Sequence, residues 1–246
     1  GFTISDTGGQ KRSLTVPEIF MYSSNIGAAR EAEAVGVEGH RAFLSRIGLL
    51  SRLQTELPET ATPVQPRQWQ AVHSITASFG HGVATTPLQT AAAGAALMNG
   101  GYLVQPTFLA RSRAEAEAVR VPVVSGRTSD EMRYLFRLNG EQGSGKSARV
   151  DGFDVGGKTG TAEKMIDGRY RTDKRLNAYM AAFPMASPRY VVFVMIDEPQ
   201  RAAGEPYATA GWNAAPTTAN IIRRAAAFLD IRPDFGTGGR QLLVSY

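Results

Sequence analysis

The chain has no cysteine in its 246 residues, which excludes disulfide scaffolds, cysteine-ligated zinc, iron–sulfur clusters and thiol nucleophiles. It also has no long apolar run. The longest, Val191–Ile196, is far shorter than the roughly 20 residues that a membrane-spanning helix needs. Gly1–Gln10 lacks the apolar segment that defines a signal peptide. These absences exclude several classes of protein but do not select a cellular compartment.

A strong charge of one sign is also absent. The 27 Lys and Arg residues against 22 Asp and Glu give a net charge of +5, spread along the chain without a basic patch, so no nucleic-acid partner is predicted. A hydrophobic content of 43% fits a globular protein, and a length of 246 residues fits one large domain or two small ones. The three histidines, His40, His73 and His81, show no metal-ligand spacing, and no cofactor is predicted.

The first half of the chain predicts helices. Apolar residues recur at helical spacing in Val16–Tyr22, Ile26–Val37 and His40–Leu50, with Leu57–Gln68 as a proline-rich connector. Two further helices are predicted from their N-terminal caps. One is Leu88–Met98, which follows Thr86 and Pro87, and the other begins at the capping box Thr128–Glu131. Residues from about 15 to 140 are therefore expected to form a mainly helical subdomain.

The second half predicts a sheet and one more helix. A strand is predicted for Phe153–Ala162. Two more strands, Ala178–Phe183 and Tyr190–Ile196, are predicted to form a hairpin. An amphipathic helix follows, marked by Ile221, Ile222, Ala225, Phe228 and Leu229. The order of elements predicts the α+β class, with the sheet hairpin and final helix between about 150 and 235.

Gly140–Ser147 (GEQGSGKS) matches the phosphate-loop pattern letter for letter, with Lys146 and Ser147 in the positions that would meet phosphate and magnesium. That motif needs a strand before it and a helix after it. Here a predicted helix precedes it, which makes Gly140 a candidate helix-ending glycine, and the glycines of Ala148–Gly157 exclude a following helix. The context favours a surface loop over a nucleotide site.

Two other short motifs carry chemistry. Ser23-Ser24-Asn25 precedes a predicted helix, and Lys158-Thr159-Gly160-Thr161 lies on the glycine-rich strand. They match the S-x-[DN] and K-T-G signatures of penicillin-recognising serine enzymes. Ser23-Ser24-Asn25 could also be an ordinary helix N-cap, and Lys158-Thr159-Gly160-Thr161 could be an ordinary strand with a bulge.

The chain resembles the transpeptidase domain of class B penicillin-binding proteins, and within it the division-specific septal transpeptidases of Gram-negative bacteria, of an alphaproteobacterial type. The resemblance extends along nearly the whole sequence. It is carried, in order, by Tyr22–Ala29, Ser78–Pro106, Gly156–Lys164, Ala181–Pro199 and Ala214–Pro233.

The resemblance implies a penicillin-binding-protein/β-lactamase-like fold, with a five-stranded antiparallel sheet flanked by helices and a helical subdomain. It implies that Ser23, Asn25, Lys158 and Thr161 serve catalysis and that Thr159, Gly160 and Thr161 bind substrate. The implied reaction cross-links D-Ala-D-Ala stem peptides of peptidoglycan through a serine acyl-enzyme, which β-lactams trap. The implied location is periplasmic, with the parent protein anchored upstream in the inner membrane beside divisome proteins that include a glycan polymerase.

One motif of the family is missing. The nucleophile and its activating lysine form S-x-x-K. Glycine, valine, threonine or arginine stands three residues before every lysine, at Gly8, Gly143, Val155, Thr161 and Arg171. We therefore expect that the nucleophile belongs to an N-terminal part of the same protein and that these residues alone form no acyl-enzyme. The alternative is a nucleophile-less module that binds wall peptides without turnover.

Overall fold

A computed structural model describes residues 3–6, 8–201, 204 and 208–235. Within them, the α-helices are α1 (Val16–Tyr22), α2 (Asn25–Val35), α3 (Val37–Arg46), α4 (Ala71–Ser78), α5 (Pro87–Met98), α6 (Arg113–Ala118), α7 (Gly126–Gln142) and α8 (Ala214–Ala225). The strands are β1 (Tyr102–Leu103), β2 (Val121–Pro122), β3 (Gly156–Ile166), β4 (Arg169–Phe183) and β5 (Tyr190–Asp197). Short 3₁₀ helices cover Lys146–Ala148 and Ala210–Trp212.

The chain packs as two compact units. The first holds the described residues of Gly1–Leu14 and Ser23–Arg133, and the second those of Thr15–Tyr22 and Tyr134–Tyr246. The first unit is mainly helical, with the short antiparallel pair β1–β2. The second contains the larger sheet. The α+β class predicted from the order of elements is confirmed.

The first unit is organised around α5. The Thr86 side chain accepts a hydrogen bond from the Gln89 N–H and Pro87 occupies the first turn, so the predicted start of this helix is confirmed. The helix buries Ala93 and Ala96 against Ile47 and Val123. Small side chains on the buried face allow this close packing.

The second unit is built on an antiparallel sheet in the order β3-β4-β5. Helix α8 packs against β4 and β5, where Tyr179, Phe183, Ala215 and Ile222 form part of one buried core. The sheet has three strands within the described residues, whereas the family resemblance implies five. Strand β3 lies at one edge of it.

The predicted hairpin of β4 and β5 is confirmed, but β4 begins nine residues earlier than Ala178, at Arg169. The reason is a second hairpin, in which Ile166 pairs with Arg169 across Asp167 and Gly168, both with positive φ. Asp-Gly is the favoured sequence for such a two-residue turn, so the sequence carried this signal and the prediction missed it.

Two predicted helix ends are wrong. Helix α7 begins at Gly126, where the Ser125 hydroxyl accepts a bond from the Thr128 N–H, so Thr128 lies inside the helix rather than at its cap. Gly140 also lies inside α7, which continues to Gln142. A Cβ at Gly140 would stand 2.7 Å from the Val155 carbonyl oxygen, so this glycine allows close approach of the helix to the chain entering β3.

The predicted apolar face of the last helix is only partly right, because Ile222 is fully buried and Leu229 packs against the same core, whereas Ile221 is 40% exposed. Helix α8 ends at Ala225, and Phe228, beyond it, is 92% exposed. The buried positions recur at helical spacing and are Ala215, Thr218, Ala219, Ile222 and Ala226. This stripe is made mostly of small residues, so the pattern of large apolar side chains does not mark it.

No helix among the described residues has the length and apolar character of a membrane span.

Candidate active site

The third motif, Lys158–Thr161, lies on the edge strand β3, where Thr159 pairs with Tyr179 and Thr161 with Asn177 of β4. The Gly157 carbonyl accepts a bond from Asn139 Nδ2 at 2.7 Å, and the Thr159 carbonyl accepts one from Lys158 Nζ at 2.9 Å. In an antiparallel strand, every second residue directs its N–H and C=O groups to the same side of the strand. Because the pairing register is unbroken until Glu163, the N–H of Thr161 also points to the edge that does not face β4.

Lys158 is a desolvated cation. Its ammonium lies 5.8 Å from the ring centroid of Phe20, and burial lowers its pKa from an ordinary value of 10.5 to about 8. At neutral pH, the protonated form of Lys158 therefore predominates, by about tenfold at pH 7. A nearby anion would stabilise that form.

The two threonines of the motif are already engaged by their surroundings. The Thr161 hydroxyl accepts a bond from the Ala210 N–H at 3.1 Å, which leaves its own hydrogen available for donation. The Thr159 hydroxyl lies 2.6 Å from the hydroxyl of Ser144. Ser144 follows α7, and neither it nor Asn139 was predicted as a site residue.

Two glycines of β3 differ in the space around them. A Cβ at Gly157 would stand 2.5 Å from the Tyr179 hydroxyl, whereas a Cβ at Gly160 would have nothing within 4 Å. The motif glycine therefore faces open space, as is expected where another backbone can lie close alongside the strand.

The second motif, in the first unit, is a turn into α2. Ser23 is exposed and adopts a φ of 56°, a conformation that is rare outside glycine and often found at functional sites. Ser24 is the helix cap, because its side chain accepts a bond from the Gly27 N–H. The Asn25 side chain donates to the Ser5 carbonyl at 3.2 Å. The cap interpretation thus holds for Ser24 and leaves the two predicted residues, Ser23 and Asn25, on either side of it.

A carboxylate that was not predicted fixes this turn. Asp6 Oδ2 accepts a bond from the Ser24 hydroxyl at 2.7 Å, and Asp6 Oδ1 accepts one from the Ile26 N–H at 3.0 Å. A negative charge also interacts favourably with the N-terminus of α2. Asp6 is 18 residues away from Ser24 along the chain, so no local pattern indicates the contact.

The phosphate-loop match is coincidental. Its first glycine lies inside α7, no strand leads into it, and only the 3₁₀ helix Lys146–Ala148 follows. A phosphate loop requires a strand before it and a helix after it. Among the described residues, no group of three His, Cys, Asp or Glu side chains is arranged to hold a metal ion.

Residues 1–223 match the family model of the penicillin binding protein transpeptidase domain. The chain belongs to this family. Ser23–Asn25 and Lys158–Thr161 match the S-x-N and K-T-G signatures in sequence, and they lie before α2 and on the edge strand β3.

The chain is also similar to individual proteins that are named as peptidoglycan D,D-transpeptidases. The chain is 38% identical over 240 residues to a probable peptidoglycan D,D-transpeptidase FtsI of Caulobacter vibrioides, covering 94% of this chain and 41% of the relative. It is 35% identical over 190 residues to a probable peptidoglycan D,D-transpeptidase PenA of Neisseria meningitidis, covering 76% of this chain and 32% of the relative. The chain thus spans about two fifths or less of these relatives.

Solved transpeptidase structures have the same fold. The transpeptidase domain of Burkholderia pseudomallei penicillin-binding protein 3 superposes with a TM-score of 0.80 at 29% identity, over 89% of this chain and 66% of that one. Penicillin-binding protein 3 of Mycobacterium tuberculosis, solved in complex with ampicillin, gives 0.79 at 26% identity, over 94% and 54%.

Proposed function

We propose that this chain is the C-terminal portion of a peptidoglycan D,D-transpeptidase that cross-links stem peptides through a serine acyl-enzyme during cell division. The observation that carries the proposal is the edge of β3, where a lysine, two hydroxyls and an outward N–H occur within four residues beside an open glycine. This set of groups suits a peptide that ends in a carboxylate.

Each group has a proposed task. The Thr161 N–H contributes to the oxyanion hole for the tetrahedral intermediate. Lys158 supplies positive charge near the substrate carboxylate, and the Thr159 and Thr161 hydroxyls donate hydrogen bonds to it. Gly160 lets the substrate backbone lie close to the strand. Ser23 relays a proton, and Asn25 orients a substrate amide.

The chemistry has two steps. A serine oxygen attacks the carbonyl carbon of the penultimate D-Ala, the C–N bond to the terminal D-Ala breaks, and the leaving amine takes up a proton. An amine of a second stem peptide then attacks the resulting ester, forms the new amide and returns the serine to its hydroxyl form. The serine and its lysine are supplied from outside these 246 residues, because no S-x-x-K occurs in them.

The remaining parts of the proposal follow from the family. β-Lactams mimic D-Ala-D-Ala and trap the acyl-enzyme, and a relative has been solved with ampicillin bound. We place the enzyme in the periplasm, with the parent protein anchored in the inner membrane and associated with divisome proteins that include a glycan polymerase.

A fluorescent penicillin tests the proposal. We expect no stoichiometric covalent labelling of this chain alone, and labelling when an upstream segment with S-x-x-K is joined to it. K158A in the longer protein should reduce the rate of labelling strongly, whereas K146A should not, because Lys146 is an exposed residue of the coincidental phosphate-loop match.

The same experiment separates the alternatives. Labelling of the 246-residue chain alone would contradict the expectation that its nucleophile lies elsewhere. A longer protein that binds D-Ala-D-Ala peptides but is never acylated would support the nucleophile-less binding module instead.

A further inference from the structure

The hydroxyls of Ser144 and Thr159 lie 2.6 Å apart, which is a short distance for two neutral hydroxyl groups. Ser144 is in the loop after α7, and Thr159 is the central residue of the K-T-G motif. Such a pair shares one hydrogen, so one of the two oxygens must donate and the other must accept.

The proposed substrate decides the direction of this bond. A carboxylate accepts hydrogen bonds and cannot donate them, so Thr159 can contact it only by donating its single hydrogen. Ser144 must then donate to Thr159. A hydroxyl that accepts one hydrogen bond becomes a stronger donor in the next, because aligned bonds polarise one another.

The loop that presents Ser144 is held by Asn139. Asn139 Oδ1 accepts bonds from the Ser144 N–H at 3.1 Å and from the Ser144 hydroxyl at 3.2 Å. Asn139 Nδ2 donates to the Gly157 carbonyl, and the Asn139 side chain is completely buried. One buried amide therefore fixes both the loop and the strand, which sets the distance between Ser144 and Thr159.

Asn139 also gives the Ser144 hydrogen a second acceptor. Before a substrate binds, the hydrogen can lie on the longer bond to Asn139 or on the shorter one to Thr159. A bound carboxylate would recruit the Thr159 hydrogen and commit the Ser144 hydrogen to Thr159. Rotation of one hydroxyl hydrogen is enough for this change.

We propose that Ser144 is a positioning residue of the carboxylate subsite: its hydroxyl donates to Thr159 and thereby keeps the Thr159 hydroxyl directed at a terminal carboxylate of the substrate. The inference rests on the proposed function and concerns selectivity for a peptide with a free C-terminus. Ser144 acts through Thr159 and does not itself contact the substrate.

The test compares two probes, a blocked acyl-D-Ala-D-Ala peptide and the same peptide as its C-terminal amide. Their dissociation constants are measured on this chain by NMR titration, following the backbone amides of Thr159 and Gly160. We expect the unaltered chain to prefer the carboxylate form. S144A should reduce that preference about three- to tenfold, the range for one hydrogen bond, mainly by weakening binding of the carboxylate form.

Two variants serve as controls. S144T keeps a hydroxyl at this exposed position, and it should retain the preference. S147A removes a hydroxyl from the same loop that donates to the Gly211 carbonyl instead, and it should leave the preference unchanged.

The outcomes separate the two proposals. If the unaltered chain does not distinguish the two peptides, the carboxylate site of the proposed function is refuted. If it does distinguish them and S144A retains the full preference, the role of Ser144 is overturned. Equal weakening of both peptides by S144A would also overturn it, since that result indicates only a structural contribution.

Discussion

The side-chain amide of Asn139 donates to the carbonyl oxygen of Gly157 at 2.7 Å, which joins the interior of α7 to the start of β3. Asn139 is completely buried, and its other amide atom accepts two bonds from Ser144. A polar side chain that is buried and bonded at both ends fixes backbone positions more strictly than apolar packing does. In this way, the buried Asn139 side chain fixes the start of the strand that contains the K-T-G motif.

Removal of the Asn139 side chain should lower the free energy of unfolding. N139A leaves the Gly157 carbonyl and the Ser144 N–H without partners and opens a small cavity, so we expect a loss of about 2–4 kcal/mol in the free energy of unfolding. Urea unfolding measures it. N99A is the control, because Asn99 makes comparable bonds to the Tyr102 backbone at an exposed site and should cost less than about 1 kcal/mol. If N139A and N99A lost equal amounts of unfolding free energy, burial of Asn139 would not explain its contribution to stability.

Alanine substitutions at Gly157 and Gly160 should have opposite consequences. G157A places a methyl group against the Tyr179 hydroxyl and the Met180 carbonyl, so it should destabilise the chain by about 1–3 kcal/mol. G160A meets open space, so it should leave the melting temperature nearly unchanged but weaken binding of a blocked acyl-D-Ala-D-Ala peptide. Tight peptide binding by G160A would show that the substrate does not pass beside this residue.

The pKa of Lys158, lowered to about 8 by burial, predicts a pH dependence. The ammonium is charged below pH 8 and loses its charge above it, so carboxylate binding should weaken about tenfold as the pH rises from 7 to 9.5. Calorimetric titrations across this range measure the change. K158Q should bind weakly at every pH, and a pH dependence that survives in K158Q would assign the titration to another group.

The same pKa shift affects folding stability. Between pH 8 and the ordinary lysine value of 10.5, the unfolded chain holds the Lys158 proton and the folded chain does not. The unfolded state therefore binds more protons, and this residue makes stability rise with pH over that window. Urea unfolding at pH 7.5 and 9.5 should show a larger gain in the unaltered chain than in K158Q.

Asp6 should stabilise the turn of the S-x-N motif. D6A removes acceptors from the Ser24 hydroxyl and the Ile26 N–H, so we expect a loss of about 1–2 kcal/mol. D6N keeps one acceptor oxygen and should lie between D6A and the unaltered chain. D151A, at an exposed carboxylate of the other unit, should change stability by less than about 0.5 kcal/mol. Equal stability of D6A and D151A would show that Asp6 does not hold the turn.

Local sequence patterns were sufficient for some elements. Thr86 and Pro87 define the start of α5 because a cap depends on residues within one helical turn. The apolar run of Tyr190–Ile196 defines a strand for a similar reason. The Asp167-Gly168 turn is an equally local signal, because Asp-Gly favours a two-residue hairpin turn, and it predicts that β4 begins directly after it.

Elements that depend on distant neighbours were not predictable in this way. Gly140 lies inside α7, and the tertiary contact there explains the glycine, because the neighbouring chain at Val155 leaves no room for a side chain. The small-residue face of α8 is buried because a sheet covers it, and helical spacing alone does not indicate which stripe is covered.

The sequence by itself determined the two motifs, the family resemblance that they support, and the absence of S-x-x-K among the five lysines. These properties depend only on the identity and order of residues. Tertiary structure alone decided which side chains support the motifs. Asp6 reaches the S-x-N turn, and Asn139 and Ser144 reach the K-T-G strand, across 15 or more residues of chain. Such contacts form only when the fold brings distant segments within hydrogen-bonding distance, which no local pattern records.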